Sequence, residues 1–107
     1  MNTPLPAPIS TLLAAVDSLD TDAFLRAFDH DGFVDDWGRP FTGADAIRTW
    51  SDREFIGANV TLTLTQVTTV DNRTEVSATV GGDGFNGPSH FVFVIADDDV
   101  RSMSITA

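Results

Sequence analysis

The sequence predicts a single α+β domain in which three helices pack on a curved antiparallel sheet. Three observations predict it. Apolar residues recur at three- and four-residue steps as far as Gly32, which is the helical period. From Asn59 onward they alternate with polar residues, which is the strand period. Between these halves the stretch Phe33–Trp50, FVDDWGRPFTGADAIRTW, reads as a short strand with two adjacent carboxylates, a turn and a further helix. No repeat or linker is visible. The reading is a flexible lead over residues 1–8 and one domain over 9–107.

Pro4, Pro6 and Pro8 make the lead extended. Ser10 is placed to cap a first helix whose apolar face is Leu12, Leu13, Val16 and Leu19. Asp20 or Thr21 caps a second, with Phe24, Ala27 and Phe28 on one face. An Asp29-His30-Asp31 turn and Gly32 end that unit. In the third helix Thr42 and Asp45 form a capping pair, Ile47 and Trp50 face inward, Arg48 and Asp52 face water, and Gly57 is the stop. Val60, Leu62 and Leu64 then alternate with threonines in a half-buried strand, and Val76, Ala78 and Val80 continue the pattern after an Asp71-Asn72 turn. A glycine-rich loop, Gly81–Gly87, leads to Ser89–Ile95. There Phe91, Phe93 and Ile95 share one face and His90, Val92 and Val94 the other, before the Asp97–Asp99 turn and a last strand over Val100–Thr106. The Phe91 strand is apolar on both faces, and helices cover only one. Its outer face, with Val92, Val94 and the threonine row, is therefore expected to meet a second copy as a homodimer.

Composition removes several function classes. The chain carries 16 acidic and 6 basic residues for a net charge of -10, a field that repels phosphate backbones and disfavours nucleic acid as a partner. With no cysteine there is no disulfide, thiolate nucleophile or cysteine metal site. The run Gly82-Asp83-Gly84-Phe85-Asn86-Gly87 spells G-x-G-x-x-G, but Pro88 and a strand follow where a nucleotide site needs a helix. Asp97–Asp99 lacks the alternate ligand spacing of a calcium loop. No cofactor and no metal are expected. The N-terminus has no signal-peptide pattern and no stretch is long enough to span a bilayer, so no membrane partner and a cytoplasmic location are the default expectations.

Two segments, AFDHDGFVDDWGRPFTGADAIRTW and SHFVFVIADDDVRSMSI, resemble the nuclear transport factor 2-like superfamily, and within it the SnoaL-like branch of polyketide cyclase and ketosteroid isomerase relatives. The resemblance runs from Ser10 onward. It implies a cone-shaped, cystatin-like α+β roll with a pocket between the inner sheet face and the helices. It also implies that Asp36 matches the carboxylate serving as proton shuttle and that Trp50 matches an aromatic pocket wall. Ala78, Val80 and Gly82 match inward positions. Ser89 matches the place where the isomerases hold a protonated aspartate that donates to the oxyanion. The partner tyrosine falls at Leu12, and the chain has no tyrosine. Losing one oxyanion donor costs about 10²–10³ in rate, so steroid isomerisation is not expected.

Asp35 and Asp36 are strand neighbours and must point to opposite faces, so they do not form an acid–base pair. By the resemblance Asp36 faces in and Asp35 faces out or toward the rim, and a carboxylate facing Trp50 and Phe91 suits a general base. Its structural alternative is an ion pair with Arg39, Arg48 or Arg53. Trp37 and Trp50 are placed to stack on a planar ligand or to fill the core, and Val80 and Phe91 to wall a cavity. Phe85 and Asn86 ride a flexible loop over its mouth, His90 faces outward and His30 is solvated. The expected function is a pocket for a mostly apolar small molecule, with Asp36 as cofactor-free base and Trp50, Ser89, Phe91, Val80, Phe85 and Trp37 as ligand contacts. The competing expectation is a non-catalytic dimeric binding or interaction module. An inward Asp36 beside an open cavity favours the first, and an Asp36 bonded to arginine in a filled core the second.

Overall fold

Helix α1 (Ala7–Asp17) begins three residues before Ser10, in the computed structural model that describes residues 4–106. Pro6 is the cap and Pro8 lies in the first turn, where a missing N–H costs nothing. Ile9, Leu12, Ala15 and Val16 are buried, while Leu19 leaves the face in a left-handed turn (φ 55°). Helix α2 (Thr21–Arg26) has the expected cap: Asp20 Oδ1 accepts from the Ala23 amide at 3.1 Å.

The chain then enters the sheet sooner than its pattern suggested. Strand β1 (Phe28–Asp36) takes in Phe28 and the Asp29-His30-Asp31 segment, so Phe28 is not on the helix and Gly32 ends nothing. The cause is non-local. β1 pairs in parallel with the last strand, Phe28 opposite Val100 and Phe33 opposite Ser102, with a register shift between. Asp29 stabilises that irregular stretch. Its carboxylate accepts from the Asp31 amide at 2.7 Å and from Arg101 at 2.9 and 3.0 Å, and these contacts hold it below the usual carboxylate range.

Arg39–Thr42, expected as part of a turn, is a short strand β2 in a hairpin with β1. Helix α3 (Ala44–Glu54) starts from Gly43 with no side-chain cap, so the Thr42–Asp45 pair does not form; Thr42 is held in β2 opposite Phe33. Ile47 and Trp50 are buried as expected, and Arg48 pairs with Asp22 at 2.7 Å. A 3-10 turn, Ile56–Ala58, joins α3 to β3 (Thr61–Val70), β4 (Arg73–Gly81), β5 (Gly87–Ala96) and β6 (Asp99–Thr106).

The sheet has six strands in the order β2-β1-β6-β5-β4-β3, antiparallel except at β1–β6. It is thus mixed, not wholly antiparallel, and two of the three helices precede it while α3 follows β2. Val76, Ala78 and Val80 of β4, Phe91 and Phe93 of β5, and Met103 and Ile105 of β6 are buried with Leu12, Val16, Phe24, Ile47 and Trp50 of the helices. On β3 a bulge between Leu64 and Gln66 breaks the alternation and leaves Leu64 exposed on the edge strand. No helix among the described residues is long and apolar enough to cross a membrane.

Candidate functional site

A cavity of about 360 Å³ opens where the end of β1 and its hairpin turn, the end of α3, the 3-10 turn and the β4–β5 loop converge. Asp36, Trp37, Trp50, Val80, Phe85, Ser89 and Phe91 all stand on its wall. The sequence reading singled out these seven from four separate segments, and the fold brings them together.

Asp36 ends β1 with its side chain 14% exposed. Its Oδ2 accepts from the Trp50 indole at 3.0 Å and from the Arg39 guanidinium at 2.6 Å, while no donor reaches Oδ1 among the described residues. Apolar walls are therefore not its only neighbours. Of the three arginines considered as partners, Arg39 is the one that pairs; Arg48 is on Asp22 and Arg53 is on neither. Arg39 also forks onto Glu54 at 2.8 and 3.2 Å, donates to the Asp36 carbonyl at 3.4 Å and lies 5.6 Å over the Phe41 ring. Glu54 first, and then Asp36, hold Arg39 above its ordinary value. Both features meant to separate the two expectations meet on one residue: the cavity is open, and its carboxylate is tied to arginine.

Asp35 points the other way and accepts from the Gly38 amide at 2.7 Å, closing the β1–β2 turn. That turn holds Trp37 at φ 56° and Gly38 at φ 86°, the mirror-image geometry that suits hairpins. A tryptophan there is strained by about 1–2 kcal/mol, yet its ring is 56% exposed on the cavity rim. Trp50 is stacked on Phe55 with centroids 4.9 Å apart and tilted against Phe41 at 6.0 Å. Ser89 is 5% exposed on the inner sheet face, and its hydroxyl has no hydrogen-bond partner among the described residues.

The β4–β5 loop is pinned, contrary to the flexible loop expected. The Asp83 amide donates to the Ala58 carbonyl at 2.8 Å, and Asn59 donates to the Asp83 carboxylate at 2.7 Å. Asn86 braces the loop from within, donating to Gly82 and Gly84 carbonyls at 2.8 and 3.1 Å, and so is not on the cavity wall. Phe85 is left 55% exposed at the mouth. Ala78 and Gly82, inward by resemblance, do not line the cavity; Gly81 and Gly84 do. Leu12 is fully buried in the core. His90 is on the outer face, with Glu75 at 3.1 Å and Ser77 at 3.4 Å.

Arg39, Arg53, Glu54, Phe55, Ala58, Val60 and Ile105 also line the cavity and were not read as site residues. Glu54 was within reach of pattern reasoning, being four residues past Trp50 on the same helical stripe. Ile105 is opposite Phe91, a pairing visible only once the register is known.

No family model matches the chain, and no curated protein matches it in sequence. Solved structures do. A Sinorhizobium meliloti protein provisionally assigned as a polyketide cyclase superposes with a TM-score of 0.84 at 25% identity, covering 95% of each chain. This chain has a nuclear transport factor 2-like, SnoaL-like fold. Two further structures agree. A nuclear transport factor 2-like protein of unknown function from Cytophaga hutchinsonii matches with a TM-score of 0.82 at 7% identity, over 99% of this chain and 93% of its own. A Catenulispora acidiphila protein with a ketosteroid isomerase-like fold, solved with trimethylamine, matches with a TM-score of 0.80 at 22% identity over 97% and 87%. For this nuclear transport factor 2-like domain the likeness fixes architecture; chemistry has to be argued from the side chains.

Proposed function

We propose that this nuclear transport factor 2-like domain binds a mostly apolar small molecule in the cavity, with Asp36 facing its polar end as a cofactor-free proton-transfer base. The supporting observation is the open cavity itself. Its wall is largely aromatic and aliphatic, with a few placed polar groups, the Asp36 carboxylate and Ser89 hydroxyl among them. Oδ1 is the oxygen available to a ligand, since Oδ2 is already engaged. Trp37 on the rim presents an exposed aromatic face to anything that enters. The chemistry that fits is isomerase-, cyclase- or dehydratase-like. A second reading, binding without turnover, is supported by the 2.6 Å Asp36–Arg39 contact, which commits one carboxylate oxygen to structure.

A thermal-shift screen of steroids, polyketides and terpenoids, repeated on Asp36→Asn, tests both. Ligands of the pocket raise Tm. If Asp36 is the base, Asp36→Asn keeps binding and loses about 100-fold or more in turnover. Equal turnover in the two proteins would leave binding alone, and no shift with any compound would remove the ligand reading.

The proposal extends to assembly: two copies meet through the outer sheet face, where Val92 and Val94 are half-buried on β5. Sedimentation should give a dimer mass, reduced to monomer by Val92→Glu combined with Val94→Glu. A wild-type chain that sediments as a monomer at every concentration at which it is soluble overturns it.

A further inference from the structure

We infer that the cavity selects ligands whose apolar body ends in a negatively charged group, such as a carboxylate or sulfonate, and that Arg53 is the residue that meets that group. The inference rests on the ligand-binding reading above and adds the charge of the ligand to it.

Four charged side chains stand on the cavity wall: Asp36, Arg39, Arg53 and Glu54. Three of them satisfy one another. Arg39 donates to the Asp36 carbonyl, the Asp36 carboxylate and both oxygens of Glu54. Arg53 has no ion pair and no hydrogen bond among the described residues. Four of the chain's 6 arginines are paired with acids among the described residues. Arg48 is on Asp22, Arg101 is on Asp29, and Arg73 lies within 3.9 Å of Glu75. Arg26, the other arginine without a salt bridge among the described residues, lines a different groove alongside Asp98 and Asp99.

A cation in the last turn of α3 also suits the helix C-terminus. That role asks only for charge near the final carbonyls, and does not call for a guanidinium on a cavity wall. Arg39 offsets one of the two neighbouring carboxylates, and with Arg53 the four charged groups of the wall sum to zero, so an anion would be held by direct contact with Arg53 and not by a net positive field. Repulsion from the rest of the acidic chain is damped beyond about 8–10 Å at physiological salt. A guanidinium presents paired donors that match a carboxylate or sulfonate.

A second observation concerns the opposite kind of group. Ser89 is 5% exposed as a residue and lines the same cavity, and its hydroxyl has no protein partner among the described residues; no buried side-chain polar atom there is left unpaired, so this hydroxyl reaches the open space of the cavity. An accessible hydroxyl on an otherwise apolar stretch of wall is placed to meet a ligand atom. A neutral oxygen or nitrogen at Ser89, a hydrogen-bearing atom at Asp36 Oδ1, an apolar body between, and an anion at the Arg53 lip answer the cavity's polar groups. The ligand class is an amphipathic organic acid.

Two dyes with the same fused-ring body separate the inference from the reading beneath it. The first is 8-anilino-1-naphthalenesulfonate, and the second is N-phenyl-1-naphthylamine, which lacks the sulfonate. Fluorescence titrations of the full chain should show both binding, and Val80→Phe, which crowds the cavity, should weaken both. Arg53→Gln should weaken the sulfonate about 5- to 10-fold, between an exposed ion pair and a hydrogen bond to a charged group, and leave the amine within about twofold. Arg53→Lys should recover part of the loss. If Arg53→Gln shifts both dyes equally or neither, the anion inference is overturned and the pocket reading stands. If neither dye binds, or Val80→Phe changes nothing, the pocket reading falls and the inference with it.

Discussion

Replacing Trp50 with alanine is expected to remove about 3–5 kcal/mol of folding stability, the range for deleting a large buried aromatic. Trp50 is 2% exposed, is stacked on Phe55 at 4.9 Å, touches Phe41 at 6.0 Å and donates to Asp36 at 3.0 Å. Alanine forfeits the stacking and the apolar burial together, and leaves Asp36 held by Arg39 alone. In a domain of this size the loss should lower Tm by about 15 °C or more. Trp50→Phe divides the effect, because it keeps one ring against Phe55 and removes the indole N–H together with the second ring's volume. Its cost should be at least that of one hydrogen bond to a charged group, about 1.5–3 kcal/mol, and less than that of the alanine variant. Chemical denaturation of the two variants reads both terms. An alanine variant that loses less than the phenylalanine variant would show that the ring is not packed as described.

What the sequence disclosed depended on whether the cause was local. The Asp20 cap, the buried face of α1 and the inward set Val76, Ala78, Val80, Phe91 and Phe93 follow from side-chain period and capping chemistry within a few residues. The misread segments depend on distant partners. Asp29-His30-Asp31 resembles a turn by composition, and is strand because β6 lies beside it and Arg101 receives Asp29. Arg39–Thr42 is strand because β1 offers an edge. No local pattern encodes the parallel β1–β6 pairing. It joins the front of the chain to its end, which places Asp36 level with Ile105 and so onto the cavity.

The site shows the same division. Aromatic and apolar wall residues were visible because they are also inward positions of helix and strand. The charge network was not, because Arg39 reaches Glu54 across fifteen residues and two elements. Composition alone could not tell which of six arginines would be consumed by which acids. That assignment is what turns a generally acidic chain into one with a single uncommitted guanidinium on its cavity wall, among the described residues.

Gly57→Ala is expected to cost about 3 kcal/mol, at the upper end for overpacking, and to loosen the mouth of the cavity with it. By pattern Gly57 is a helix stop, a position where glycine supplies a left-handed backbone. The structure gives that conformation to Asn59 instead, at φ 55°, and α3 has already ended at Glu54. Gly57 is required for space. A Cβ there would sit 1.7 Å from the Asp52 carbonyl oxygen and 2.4 Å from its carbon, backbone atoms that cannot rotate away. Alanine must therefore displace either the last turn of α3 or the Ile56–Ala58 turn. Ala58 receives the Asp83 amide, so movement of that turn releases the loop that carries Phe85. Gly38→Ala is the matched control. It places alanine at φ 86° with nothing within 4 Å, and should cost only the left-handed penalty of about 1–2 kcal/mol. Denaturation should rank the two, and hydrogen exchange should show the Asp83 amide protected in wild type and Gly38→Ala but fast in Gly57→Ala. Equal stability with Asp83 still protected would mean that α3 and the 3-10 turn do not crowd this glycine, and that the loop is anchored by other contacts.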